Sequence, residues 1–161
     1  MKIWILNYLE AREFDPEELT LAVRIFDPGA TKLEHNKPVP LKCSTLWLDE
    51  VRLEFEDIDI WSYQQEGGVA LARRLQEERK CFDERMAEFM LAETARTIKK
   101  AQALMIHCNA GLSRSPAVAR ALVERFEIQP EWSGKRRRMM EDDYHGNEWV
   151  YRLLKKAELP C

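Results

Sequence analysis

The chain has 161 residues, 45% of them apolar and 33% charged, with a formal net charge of -3. This is the length of one ordinary domain, 1–161, with enough apolar side chain for a buried core, which argues against a disordered chain. A slightly acidic protein is not a general nucleic-acid coat, and no apolar run is long enough to span a bilayer as a helix.

Lys2 to Tyr8, "KIWILNY", is apolar and rich in strand formers. It opens like a secretory signal. Glu10, Arg12 and Glu13 follow, with no small-residue cleavage site, so it is read as a first strand and the protein as cytoplasmic. Leu19 to Ala30 is a second strand whose Ile25-Phe26 end runs into the turn residues Asp27-Pro28-Gly29. The polar, proline-containing loop Asp27 to Lys42 is long for a compact domain and is a candidate rim loop. "EVRLEFEDID" alternates, with Val51, Leu53 and Phe55 on one side and Arg52, Glu54 and Glu56 on the other.

Val69 to Lys80 has Val69, Ala72 and Leu75 at helical spacing. Glu84 to Lys99 places Met86, Phe89, Met90 and Ala87 on one helical face, read as core. Ala103 to Cys108, "ALMIHC", reads as a buried central strand. Ser113 to Phe126 is a helix with Ala117, Val118, Ala121 and Leu122 toward the sheet. A last helix, Glu148 to Ala157, carries Val150, Leu153 and Leu154. Strands separated by helices point to an α/β fold, a mostly parallel central sheet with helices on both faces.

The cysteines are Cys43, Cys81, Cys108 and Cys161, with no C-x-x-C pair and only three histidines. That spacing suggests neither a structural zinc site nor a disulfide framework. No metal or cofactor is expected.

Chemistry concentrates in "HCNAGLSRS", His107 to Ser115, at a strand-loop-helix junction. Open α/β sheets bind ligands beyond the carboxyl ends of their strands. Backbone N–H groups of Asn109, Ala110, Gly111, Leu112, Ser113 and Arg114 can form a concave nest for an anion, and the first turn of the helix adds more. Gly111 allows the turn. The planar fork of Arg114 can hold two phosphate oxygens. A thiolate of Cys108 held beneath a bound phosphate is a nucleophile aimed at phosphorus. Backbone amides and Arg114 would neutralise the transferring group. Pro116 fits the first helical turn.

The pattern His-Cys-x5-Arg-Ser resembles that of the protein tyrosine phosphatase superfamily. The small size looks like its compact, dual-specificity-like branch. "RIFDPGA", "VRLEFEDID" and "NEWVYRLL" are similar to segments of small bacterial and phage-encoded predicted tyrosine phosphatases. Ser62 to Lys80 looks like a family-variable insertion. The resemblance implies a phosphocysteine mechanism. Cys108 would be the nucleophile and Arg114 the phosphate ligand. Ser115 would stabilise the departing thiolate, and His107 would hold the loop and tune Cys108. An aspartate on a separate loop would donate a proton to the leaving group and then act as base. Asp57 and Asp59 both follow the "VRLEFE" strand, and the resemblance favours Asp57, leaving Asp59 to hold the loop through backbone amides. Asp83 reads as a helix cap. Asn147 would anchor the last helix near the catalytic loop.

The expected substrate is a phosphorylated protein or a small phosphomonoester, with a phosphoinositide, nucleotide or RNA end as the alternative. Arsenate reduction, sulfur transfer and a non-catalytic phosphate-binding module are competing classes. Membrane and nucleic-acid partners are not expected. The basic run "GKRRRM", Gly134 to Met139, is a solvated loop or a patch that steers anionic substrates. Trp132 reads as packing or as a substrate platform, and Tyr63 and Tyr144 as possible rim residues. Oligomeric state is not readable.

Overall fold

The computed structural model describes residues 1–29 and 40–158. Five strands form one sheet: β1 (Lys2–Leu6), β2 (Thr20–Phe26), β3 (Trp47–Glu54), β4 (Ala103–His107) and β5 (Glu131–Ser133). Their order is β3-β2-β4-β1-β5, and every pairing is parallel. The helices are α1 (Tyr8–Glu13), α2 (Ile60–Gln65), α3 (Val69–Glu78), α4 (Glu84–Thr97), α5 (Arg114–Arg125), α6 (Arg137–Glu141) and α7 (Glu148–Lys156). None of the described helices is long and apolar enough to cross a membrane.

Both sides of the sheet are covered, unequally. Ile3, Ile5, Leu21, Val23, Ile25, Leu104 and Ile106 enter the larger core, against Met90 and Leu91 of α4, Ala117 and Ala121 of α5 and Leu154 of α7. The alternate residues Trp4, Leu6, Ala22 and Met105 face a smaller cluster with Ala11 of α1, Phe14, Leu41 and Trp47. Trp4 and Phe14 meet edge-on at 5.5 Å, and Phe14 and Trp47 lie 5.9 Å apart. Aromatic rings thus help close the side that carries α1.

Several expectations need correction. The first strand ends at Leu6, because Asn7 starts α1 with a capping box. Its side chain accepts from Glu10 N at 2.8 Å, and the Glu10 carboxylate accepts from Asn7 N at 3.0 Å. Val69 and Phe89 do not face the core; they are 62% and 48% exposed. The buried stripe of α4 is Ala87, Met90, Leu91, Thr94 and Thr97, rotated away from Phe89. Helices α2 and α6 and the three-residue β5 are too short to show a period in the sequence. Asp83 caps α4 through Met86 N at 2.8 Å, as expected. Cys43, Cys81 and Cys108 are free thiols, and Cys161 and residues 30–39 of the expected rim loop lie outside the described residues.

Candidate active site

Three neighbouring strands end at the same edge of the sheet. β3 leads to Asp57, β2 to Asp27 and β4 to Cys108. Parallel strands all point their carboxyl ends one way, which is why loops distant in sequence converge there.

The loop from Cys108 to Ser113 curls back on itself. Gly111 N donates to Cys108 Sγ at 3.2 Å, and Ser115 Oγ lies 3.2 Å from the same sulfur. Gly111 has φ +71°, and a Cβ there would lie 2.7 Å from the Leu6 carbonyl oxygen and from Arg136 Nε. Only glycine fits that close approach in that conformation. Tyr8 N donates to the Asn109 carbonyl at 3.1 Å, and Arg136 Nη2 to the Ala110 carbonyl at 3.0 Å. The loop is therefore held from outside by α1 and by the segment before α6. Ser113 begins α5 without capping it through its side chain, which leaves the first-turn N–H groups of α5 uncapped by that hydroxyl.

Arg114 is 3% exposed. Its Nη1 donates to the Phe55 carbonyl and pairs with Asp27 Oδ1, each at 2.7 Å. Asp27 Oδ2 in turn accepts from Asn109 Nδ2 at 3.3 Å. These bonds occupy the guanidinium corner away from Nε. Nε itself is buried with no hydrogen-bond partner among the described residues, and its closest carboxylate oxygen, Asp57 Oδ2, is 3.9 Å away. A buried guanidinium N–H without a partner is costly, and a phosphate oxygen is the kind of acceptor that satisfies it.

Asp57 stands on the other side. Its Oδ1 accepts from Ser113 Oγ at 2.7 Å and from Asn147 Nδ2 at 3.0 Å. Asn147 also caps α7 through Val150 N at 3.1 Å, and its own N–H donates to the Ser113 carbonyl at 3.1 Å. Gly146 permits this junction: it has φ +74°, and a Cβ would lie 2.2 Å from the Ser113 carbonyl oxygen. Asp59 turns away from the loop. It accepts from Ser62 N at 3.5 Å, starting α2, and from Glu148 N and Trp149 N at 3.3 and 3.1 Å, at the start of α7.

His107 and Cys108 are both 1% exposed. His107 Nε2 accepts from Arg24 Nε at 3.1 Å, and Arg24 Nη1 pairs with Glu50 at 2.8 Å. Burial, then the cations Arg24 and Arg114, push the imidazole from an ordinary 6.5 to about 3. Burial likewise lowers the Arg24 pKa, and Glu50 partly offsets this.

Of the residues expected from sequence, Cys108, Arg114, Ser115, His107, Asp57 and the loop 109–113 are together at one sheet end. The basic run divides. Arg136 pairs with Glu10 and reaches the loop at the Ala110 carbonyl, whereas Lys135 pairs with Glu10 and Arg137 with Glu141. Trp132 packs against the main core with Arg120 over its ring at 5.7 Å, so it is a packing residue. Tyr63 and Tyr144 are exposed. Sequence reasoning missed Asp27, Arg24, Arg136 and Gly146. A signal existed for Arg24, since a lone charge inside "TLAVRIF" must find a buried partner. No group of three or more His, Cys, Asp or Glu side chains suited to a metal occurs among the described residues. Comparison with protein-family models, with curated proteins and with solved structures finds no match to this chain.

Proposed function

We propose that the chain is a cysteine-dependent phosphomonoester hydrolase of the protein tyrosine phosphatase kind, working through a phosphocysteine. The observation that carries this reading is the pairing of Cys108 Sγ, set among the Gly111 N–H and Ser115 hydroxyl, with an Arg114 Nε that is buried and makes no hydrogen bond among the described residues. One group is suited to attack phosphorus and the other to bind its oxygens.

In the first step the Cys108 thiolate attacks phosphorus and the ester P–O bond breaks. The departing oxygen takes a proton from Asp57. Arg114 and the loop N–H groups hold the three non-bridging oxygens as charge shifts onto them. Asp57 is oriented for this by Ser113 and Asn147. In the second step water attacks the phosphocysteine and gives a proton to the Asp57 carboxylate. The P–S bond breaks, inorganic phosphate leaves, and Ser115 donates a hydrogen bond to the returning thiolate. Asp27 fixes the far corner of Arg114, so the guanidinium fork does not rotate between steps.

The test is Cys108→Ser assayed on an aryl phosphate with and without a chelator. Wild-type turnover is expected to be unaffected by the chelator. The serine variant should lose turnover by about three orders of magnitude or more, as for other nucleophile removals. Its binding of inorganic phosphate should stay close to wild type, because the cradle is backbone and Arg114. Undiminished turnover in C108S, or loss of wild-type activity on chelation, contradicts the reading.

A further inference from the structure

β2 and β4 lie side by side in parallel register, with Arg24 opposite His107. Both residues point to the side of the sheet that carries α1, the side of Ala22 and Met105. Arg24 is 4% exposed, and its guanidinium is held on several sides. Nε donates to His107 Nε2 at 3.1 Å, Nη1 reaches Glu50 of β3 at 2.8 Å, and the carbon centre lies 5.0 Å from the Phe26 ring. The same ring meets His107 edge-on at 5.2 Å. A guanidinium has donors only, so the nitrogen it faces must carry a lone pair. A neutral His107 therefore bears its proton on Nδ1, which is buried and makes no hydrogen bond among the described residues, while the adjacent Cys108 backbone favours a proton on the ring.

We propose that Arg24 is a positioning residue that locks His107 as the neutral Nδ1–H imidazole beneath Cys108. This rests on the phosphatase reading only for its consequence and not for its geometry. In that consequence His107 gives the thiolate neither a positive charge nor a proton. The sulfur relies on Gly111 N–H, the Ser115 hydroxyl and the charge of Arg114. A cysteine–histidinium ion pair, the usual way to activate a thiol beside a histidine, is closed off by a cation on the opposite ring nitrogen. The charged and titratable groups around the ring are Arg24 from β2, Glu50 and Arg52 from β3, Tyr8 at the start of α1, Cys108 itself and Arg114 from α5. Arg52 lies over the outer side of Phe26 at 4.8 Å, and Tyr8 and Arg52 act on His107 through Arg24.

The test is nitrogen NMR of the histidine side chains in the full chain, with His107 assigned by its loss in H107N. Wild type is expected to show an unprotonated Nε2, a protonated Nδ1 and no titration between about pH 5 and 8, where an ordinary histidine titrates. Arg24→Met should release Nε2 and bring a titration into that range. The pH profile of Cys108 alkylation should then gain a second inflection, absent in wild type and removed again in the R24M/H107N double variant. Arg24→Lys keeps a cationic donor and should restore the wild-type pattern. The wild-type spectrum alone decides if R24M fails to fold. A protonated Nε2, or a titration near neutral pH in wild type, overturns the inference, as does an R24M protein with an unchanged tautomer. None of these readouts needs turnover. A chain that hydrolyses no phosphomonoester but shows the locked tautomer would keep this inference and overturn the proposed function.

Discussion

Both carboxylate oxygens of Asp59 accept from backbone N–H groups, whereas Asp57 faces the side chains of Ser113 and Asn147 at the loop after β4 and the start of α7. This difference separates two acids that stand two positions apart in "EDID". Asp57→Asn is expected to slow turnover of esters with a basic leaving oxygen by about 100-fold or more. It should spare phosphocysteine formation from an activated aryl phosphate. Asp59→Asn should show no such dependence on leaving group. Single-turnover kinetics on both substrate types check this, and a leaving-group effect confined to D59N would reverse the assignment. His107 yields a second expectation. Its folded pKa lies near 3, below the ordinary 6.5, so the unfolded chain binds the proton more readily. The stability it contributes is whole above about pH 6.5 and is lost as pH falls toward 3, at most about 1.4 kcal/mol per pH unit. Urea titrations between about pH 6.5 and 5 should show this slope in wild type and a shallower one in H107N, in a range where most carboxylates stay ionised. An identical slope in both proteins would show that His107 binds its proton equally well in the folded and unfolded chain. Cys108 and Arg114 were legible as a candidate pair because the loop that carries them is continuous in sequence. The contact between Arg24 and His107 was not, because 83 positions separate them and only strand pairing brings them together.

At the scale of elements, the junction of α2, α5 and α7 sets where Asp57 stands. Asp59 starts α2 and meets the first N–H groups of α7, and Asn147 caps α7 while holding Asp57. Removing the Asp59 carboxylate by Asp59→Ala leaves helix-start donors of both helices unmet. The expected loss is about 1–2 kcal/mol of stability, the range of a strong cap. The urea midpoint measures it, and a midpoint unchanged from wild type would mean that solvent serves these N–H groups equally well. The strong elements were readable in sequence. β4 is apolar from Ala103 to Ile106 and buried to its last residue, and α5 carries small and apolar residues at helical spacing. Phe89 misled because an aromatic side chain next to Met90 satisfies a helical stripe on either side of the helix. The packing of α4 on β3 and α7 then settled which side was inward. The junction at Gly146 gave no pattern at all, since its requirement is a contact with the Ser113 carbonyl.

Over the whole molecule, one parallel sheet does the assembling. Adjacent strands β3, β2 and β4 deliver an acid, a carboxylate partner for Arg114 and a thiol to one edge, while α1 and Arg136 brace the loop from beyond β1. The parallel α/β class was legible from strands alternating with helices. The strand order was not, because local periodicity carries no information on which strands pair. The central claim is that Cys108 carries the phosphoryl group between the two steps. Mixing the protein with an aryl phosphate, quenching in acid within the first turnover and mapping the adduct by mass spectrometry tests it directly. Phosphorylation at Cys108 is expected, accumulating in D57N as phosphocysteine hydrolysis loses its base and absent in C108S. An adduct on another residue, or turnover in wild type with no phosphocysteine in either wild type or D57N, would contradict it.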